Sequence, residues 1–247
     1  MLIHKSMQMA DIIHMNYLLL QVIYRFDIRL GFGNKTVEKV CKENGVNVDF
    51  FLEIVNSFHD QEYFPDKELQ HFQAALLISY LKNTHDYYLQ VKVPEIELLI
   101  QELIRSSAGD KEEGLGLLDR FFREYKEELI AHIEREDNVV LPYVQEIEHA
   151  YLSEHADVSV YQKIKTYSID DFAKEHNNVE DKLFDLKNII IKFLPPVKDT
   201  IICNNILIEL FRLEKDLNNH ALIEDKVLVP KVRKMEKEIL RRLGKND

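Results

Sequence analysis

The chain of 247 residues is poor in the residues that mark turns and irregular segments: it has seven glycines, six prolines and no tryptophan. With a hydrophobic fraction of 46%, so little glycine argues against disorder. A charged fraction of 30%, spread through Lys/Glu-rich stretches, favours helices over an architecture built from strands. The composition therefore predicts a compact all-α protein.

Cysteine and long apolar runs are scarce as well. Cys41 and Cys203 are too few for a disulfide framework and provide no CxxC pair for a metal, which favours a reducing compartment. No run approaches the roughly 18 apolar residues that cross a bilayer. The apolar stretch near the start lacks a preceding basic region and a small-residue cleavage site. We therefore expect a cytoplasmic protein without a membrane partner.

Positive charge is in the minority, with 32 Lys and Arg residues against 43 Asp and Glu residues and a formal net charge of −11. Binding to a phosphate backbone depends on clustered Lys and Arg side chains. Nucleic acid is therefore not an expected partner.

Apolar residues recur at spacings of three and four along most of the chain, which is typical of amphipathic helices. We predict a small helical N-terminal domain over residues 1–62 and an antiparallel, up-down four-helix bundle over residues 66–243. The four predicted helices run from Asp66 to about Arg105, from Leu115 to Leu152, from Ser168 to about Phe193, and from Asp199 to about Leu243. Pro94 is expected to kink or divide the first of them.

An internal repeat is the most informative feature of the sequence. AHIEREDNVVLPYV (131–144) and NHALIEDKVLVPKV (219–232) align without a gap at an offset of 88 residues. The identical pairs are His132 and His220, Glu136 and Glu224, Asp137 and Asp225, Val139 and Val227, Pro142 and Pro230, and Val144 and Val232. Because His and Pro are poor choices for a generic helix, the repeat indicates a duplicated two-helix unit.

Each copy contains HxxxE, whose two side chains lie one helical turn apart on the same face and can reach one ion. One further histidine precedes each copy, 47 residues earlier at His85 and 44 residues earlier at His176. The candidate metal ligands are therefore His85, His132, Glu136, His176, His220 and Glu224. Four imidazoles and two bridging carboxylates offer four donors to each of two ions and leave room for a bridging or exogenous ligand.

Two alternatives compete with this interpretation. Each HxxxE could be a surface pair that stabilises its helix by a few tenths of a kcal/mol. Zinc and manganese also accept imidazole and carboxylate ligands, so the donor set does not select one metal.

Asp137 and Asp225 lie about 100° round the helix from the ligands and fit either partners of histidine N–H groups or surface charges. The aromatic residues Tyr87, Tyr88, Phe121, Phe122 and Tyr125 are interpreted as core packing.

Over residues 67–243 these motifs resemble the hemerythrin-like (HHE) cation-binding domain, a four-helix di-iron bundle. THDYYLQVKVPEIELLI is similar to the family's first-helix segment, in which proline follows a ligand histidine after about nine residues. The resemblance implies two iron ions, oxo- or hydroxo-bridged, with Glu136 and Glu224 as bridging carboxylates and the four histidines as terminal ligands. Oxygen-carrying hemerythrins use a fifth histidine, which has no clear equivalent here.

The whole chain resembles the repair-of-iron-centres family, which joins such a bundle to a small N-terminal domain and restores iron–sulfur clusters after nitrosative or oxidative stress. FDIRLGFGNKTVEKVCKENGVN is similar to the central segment of that domain. The family usually has two adjacent cysteines before a glycine, whereas this chain has Gly31 and Phe32 before Gly33. This departure argues against a thiol-based role for the N-terminal domain.

Three functions follow as hypotheses. The first is a di-iron protein that reacts with NO and O2 species and supports iron–sulfur cluster repair, with iron–sulfur proteins as partners. The second is a reversible O2-binding or redox-sensing module, and the third is a non-catalytic metal-binding interaction protein. Catalysis stays open, since no separate nucleophile or acid–base pair accompanies the predicted site. The sequence does not determine the oligomeric state.

Overall fold

The structure is a computed structural model and describes residues 1–60, 62–107, 112–153, 158–175 and 179–243. These residues are mostly helical, and no strand occurs among them. An isolated bridge pairs Gln8 with Thr36. The predicted all-α class is confirmed.

The first part of the chain contains short helices. In order they are α1 (Met9–Met15), α2 (Leu19–Arg25), α3 (Val37–Glu43), α4 (Val48–His59) and α5 (Asp66–His71). Between α2 and α3 the backbone turns at Gly31 and Gly33, whose φ angles are 105° and 58°. Phe32 packs its ring inward between them and is 9% exposed. The segment that resembles a cysteine-bearing loop is therefore a glycine turn around a buried aromatic side chain.

Nine further helices are described after α5, several of them continued by a π turn. In order they are α6 (Ala74–Tyr87), α7 (Val93–Ser106), α8 (Glu112–Arg135), α9 (Leu141–Leu152), α10 (Val158–Thr166), α11 (Ile169–Glu175), α12 (Val179–Asn188), α13 (Thr200–Ile223) and α14 (Val229–Leu243). The π turns are Tyr88–Lys92, Glu136–Val140, Ile189–Phe193 and Glu224–Leu228.

Each of these π turns stands just before a proline. Its closing hydrogen bond is donated by the backbone N–H of the residue that precedes Pro94, Pro142, Pro195 or Pro230. In a regular α-helix a proline ring would clash with the carbonyl four residues earlier and leave it without a donor. The π turn adds a residue there, and helical structure continues past Pro94, Pro142 and Pro230 in α7, α9 and α14.

Packing divides the chain into two compact units. The first contains Met1–Thr84, Val144–Thr166 and Leu222–Asp247, and the second contains His85–Tyr143 and Tyr167–Ala221. In the second unit, helical segments from α7, α8, α12 and α13 surround one apolar core that includes Leu118, Phe122, Leu186, Ile206 and Leu210. This is the helical bundle that the apolar periodicity predicts. The domain boundary between residues 62 and 66 stays a prediction.

Two local features differ from the sequence prediction. The helix predicted from Asp66 is interrupted at Phe72, whose backbone is extended. There the Phe72 ring packs 5.3 Å from that of Phe50, and Glu148 accepts a hydrogen bond of 2.7 Å from the backbone N–H of Ala74. The second difference is α10, which we did not predict.

The aromatic residues interpreted as core packing divide unequally. Tyr87, Tyr88, Phe122 and Tyr125 are buried in the core, whereas Phe121 is exposed, so the interpretation is wrong for Phe121. A search of the described helices for a segment long and apolar enough to cross a membrane finds none.

Candidate metal centre

Four side chains from separate parts of the sequence converge at one buried point. His85 lies near the end of α6, Glu136 begins the π turn after α8, and His220 lies in the last turns of α13. Glu224 begins the π turn that continues α13, one turn beyond His220. One ligand atom of each residue lies within 4.8 Å of the others, and none of the four residues is more than 5% exposed. One complete HxxxE motif, the glutamate of the other and one upstream histidine are thereby brought together.

Glu136 presents its two carboxylate oxygens to different histidines. Oε1 lies 3.1 Å from His132 Nε2. Oε2 lies 3.2 Å from His85 Nε2 and 4.0 Å from His220 Nε2. A carboxylate in this position can bridge two cations, one on the His132 side and one on the side of His85 and His220.

His85 is held by groups on both sides of its ring. Its Nδ1 lies 2.9 Å from Asp137 Oδ1, and its Nε2 lies 3.2 Å from His220 Nε2. Burial lowers the pKa of His85, but the hydrogen bonds to Asp137 and Glu136 raise it by more, so the net change is upward. A carboxylate on Nδ1 fixes the ring and directs Nε2 toward the cluster, as in many metal sites. Of the two interpretations of Asp137, the contact with His85 favours the histidine partner.

Tyr88 forms one wall beside His220. Its ring is fully buried, lies 5.9 Å from the His220 ring and meets it edge to face at 74°. The aromatic side chain that we interpreted as packing therefore also limits the orientation of a predicted ligand. Because Tyr88 lies three residues after His85, at the start of a π turn, its spacing alone gave no signal of this contact.

The structure describes one of the remaining two predicted ligands. His132 lies one turn before Glu136, and its side chain is 19% exposed. His176 lies outside the residues that the structure describes. The six-residue ligand set therefore stays a prediction, of which the structure brings four members into one cluster and a fifth into contact with Glu136.

The chemistry of the cluster suits a metal cation. Two carboxylates at 1% exposure within 4.8 Å of each other repel strongly in a low-dielectric interior, and a cation between them removes that repulsion. Imidazole nitrogens and carboxylate oxygens are ligands for iron, zinc and manganese alike. The donor set thus fits a transition metal and leaves its identity open.

A comparison with protein families agrees with this chemistry. The model of the hemerythrin HHE cation binding domain matches residues 95–232. The matched segment contains both HxxxE motifs and begins after His85. A comparison with curated proteins finds no match.

Proposed function

The chain belongs to the hemerythrin HHE cation-binding family, whose model covers more than half of its length, and from this premise we propose that it is a di-iron protein. In this proposal it reacts with NO and O2 species and supports the repair of iron–sulfur clusters damaged by nitrosative or oxidative stress. The single observation that supports a di-iron site is that the two carboxylate oxygens of Glu136 face different histidines.

The proposed ligand assignment follows from the position of these two oxygens. One ion is held by His85 and His220, whose Nε2 atoms are 3.2 Å apart and face Oε2 of Glu136. The other ion is held by His132, which faces Oε1, and by His176 as the remaining histidine of the duplicated unit. Glu224 provides the second bridging carboxylate. Each ion then has two nitrogen and two oxygen donors from the protein.

The side chains around the site have separate roles in this proposal. Bound iron would supply redox chemistry and coordination positions for diatomic ligands. Asp137 holds the proton on His85 Nδ1 and so leaves Nε2 free to coordinate. Tyr88 and the bundle core exclude bulk water from the side of His220. Because the clustered side chains are buried, the site favours ligands as small as NO or O2.

The metal site is tested by the metal content and visible spectrum of the full chain purified with iron present. We expect two irons per chain and an absorption band of a bridged diferric pair, and both should be lost in Glu136→Ala. Glu134→Ala is the matched control, since Glu134 is exposed on the same helix and should retain the iron. Stoichiometric zinc or manganese, or iron that survives Glu136→Ala, would contradict the proposal.

The repair role rests on the resemblance of the whole chain to the repair-of-iron-centres family. It is tested with an enzyme whose [4Fe–4S] cluster has been destroyed by NO. The iron-loaded chain should restore its activity faster than an equal amount of ferrous salt, and the Glu224→Ala variant should not. Equal rates with the chain and with the salt would exclude a repair role while leaving the metal site intact.

Reversible O2 binding is the second candidate, because the buried cluster favours small diatomic ligands in general. A spectrum of the oxygenated chain that reverses on deoxygenation would support it, and irreversible oxidation would exclude it.

The third hypothesis, an interaction protein that binds metal without reacting, would be favoured if the iron-loaded chain reacts with neither NO nor O2. A cytoplasmic location stays part of the proposal.

A further inference from the structure

The outer surface of the second packing unit carries an apolar face on α12, its π turn and α13. Phe184 and Ile191 are seven residues apart, as are Ile201 and Ile208, and Phe211 lies one turn beyond Ile208. All five side chains are exposed, by 58%, 57%, 72%, 47% and 49% in chain order. We call these five residues the α12–α13 face.

The two helices contribute to one continuous surface. Lys187 places its Nζ 4.2 Å from the ring centroid of Phe211 and 6.0 Å from that of Phe184. The same ammonium forms an ion pair with Glu214 of α13. Lys187 therefore connects the Phe184 ring of α12 with the Phe211 ring of α13, and its charge is neutralised locally.

The duplicated half of the bundle shows that its fold does not require an apolar outer face. At the offset of 88 residues, buried Leu118 and Phe122 of α8 correspond to buried Ile206 and Leu210 of α13. The exposed positions of the two helices differ in polarity. Arg120 and Arg123 stand where α13 has Ile208 and Phe211, and Arg123 pairs with Asp119 in the usual manner of a solvated helix.

The size of the α12–α13 face is that of an interface between proteins. With roughly 200 Å² on each large side chain, the exposed fractions leave on the order of 500 Å² of apolar surface in contact with water. The largest apolar patch on a typical monomeric protein is about 300–600 Å², and a patch of that size is often a site of interaction. A standard interface buries about 800 Å² per partner, of which somewhat over half is apolar. The face supplies about that apolar area.

We propose that the α12–α13 face joins two copies of this chain in a two-fold symmetric dimer. A symmetric contact sets the same patch against itself, and a largely apolar face, beside which the ammonium of Lys187 is neutralised by Glu214, is complementary to its own copy. A net charge of −11 opposes association elsewhere on the surface, which leaves this weakly charged face as the favourable contact. The dimer does not depend on the metal site.

The test is the mass of the full, iron-loaded chain in solution, measured by light scattering and sedimentation from low micromolar to hundred-micromolar concentrations. We expect twice the chain mass of 29.2 kDa. In the double variant Ile208→Arg, Phe211→Arg the dissociation constant should rise at least about a hundredfold, because four arginines would face one another across the two-fold axis. Both arginines occur at the equivalent positions of α8, so the fold should tolerate them.

Leu98→Arg is the matched control, since Leu98 is 65% exposed on α7 and lies outside the α12–α13 face. It should remain dimeric. The single variant Ile208→Arg, with its helix content checked by circular dichroism, separates loss of the contact from loss of the fold. A monomeric wild-type chain at the highest concentration would overturn the proposal. So would a double variant that stays dimeric, or equal dissociation of the Leu98→Arg chain.

Discussion

At the scale of single residues, the contact of 2.9 Å between Asp137 Oδ1 and His85 Nδ1 predicts that Asp137 raises the affinity of the cluster for its metal. Asp137→Ala should weaken metal binding by about 10- to 100-fold, because the His85 ring loses the group that fixes its tautomer and orientation. Asp137→Asn should recover part of the loss, since its amide oxygen still accepts the hydrogen bond without the charge. Competition with a chromophoric chelator measures the affinities.

The control for this prediction is Asp86→Asn. Asp86 neighbours His85 in sequence, but it is exposed and accepts a hydrogen bond from Gln90. Its substitution should leave the affinity unchanged. If Asp137→Ala binds metal as tightly as the wild type, Asp137 is only a surface charge.

The two cysteines should differ in reactivity. Cys41 is fully buried, and burial raises the pKa of its thiol to about 12, so almost none of it is thiolate at neutral pH. Cys203 is partly exposed, although burial raises its pKa as well. In the native chain we expect a maleimide to label Cys203 first and Cys41 only when denaturant is added. Rapid labelling that persists in Cys203→Ser would show that Cys41 is accessible.

Four of the six predicted ligand positions form one cluster in the structure, and three of these four, Glu136, His220 and Glu224, belong to the HxxxE repeat that the sequence displays. The sequence could not decide the role of Asp137, because the partner His85 lies 52 residues away on another helix. The same holds for Tyr88 and His220, whose contact depends on the packing of two helices. Contacts of this kind are set by tertiary structure and leave no local pattern.

At the scale of elements, two glycines of α8 predict opposite effects of the same substitution. A Cβ on Gly114 would lie 2.7 Å from Cδ of Pro195, whereas a Cβ on Gly116 would meet nothing within 4 Å. Gly116→Ala should therefore stabilise the chain by up to about 1 kcal/mol through helix propensity. Gly114→Ala should destabilise it by about 1–3 kcal/mol, since the proline ring cannot rotate away. Urea denaturation of both variants measures the difference, and an equal gain in both would contradict the close contact.

The helices themselves could mostly be predicted from apolar spacing, and the exceptions have physical reasons. The interruption at Phe72 depends on the ring of Phe50 and on the hydrogen bond from Ala74 to Glu148, both distant in sequence. Among the side chains of α10 whose burial the structure describes, residues 159–166, Val160 and Ile164 are the strongly buried pair, and two such residues are too weak a pattern to separate from a loop. The π turns could not be predicted from hydrophobic periodicity, although their prolines marked the positions.

At the scale of the whole molecule, removal of metal should lower the stability. Without a cation, the carboxylates of Glu136 and Glu224 remain buried close together. Iron at about a hundred times its dissociation constant would add about 2.7 kcal/mol, equivalent to roughly 5–10 °C in melting temperature for a chain of this size. Calorimetry of the loaded and chelator-treated chain measures the shift. Equal melting temperatures before and after complete removal of the metal would show that the cluster does not couple metal binding to folding.

The glycine turn between α2 and α3 limits which side chains can replace Gly31 and Phe32. Gly31 has a φ of 105°, a conformation that costs a residue with a side chain about 1–3 kcal/mol, and the side chain of the neighbouring Phe32 is buried. Introducing a cysteine pair at these two positions would strain the backbone and leave a smaller side chain in place of the buried Phe32 ring. The loop is thus shaped by packing, and thiol chemistry at these positions would require a rebuilt backbone as well as two substitutions.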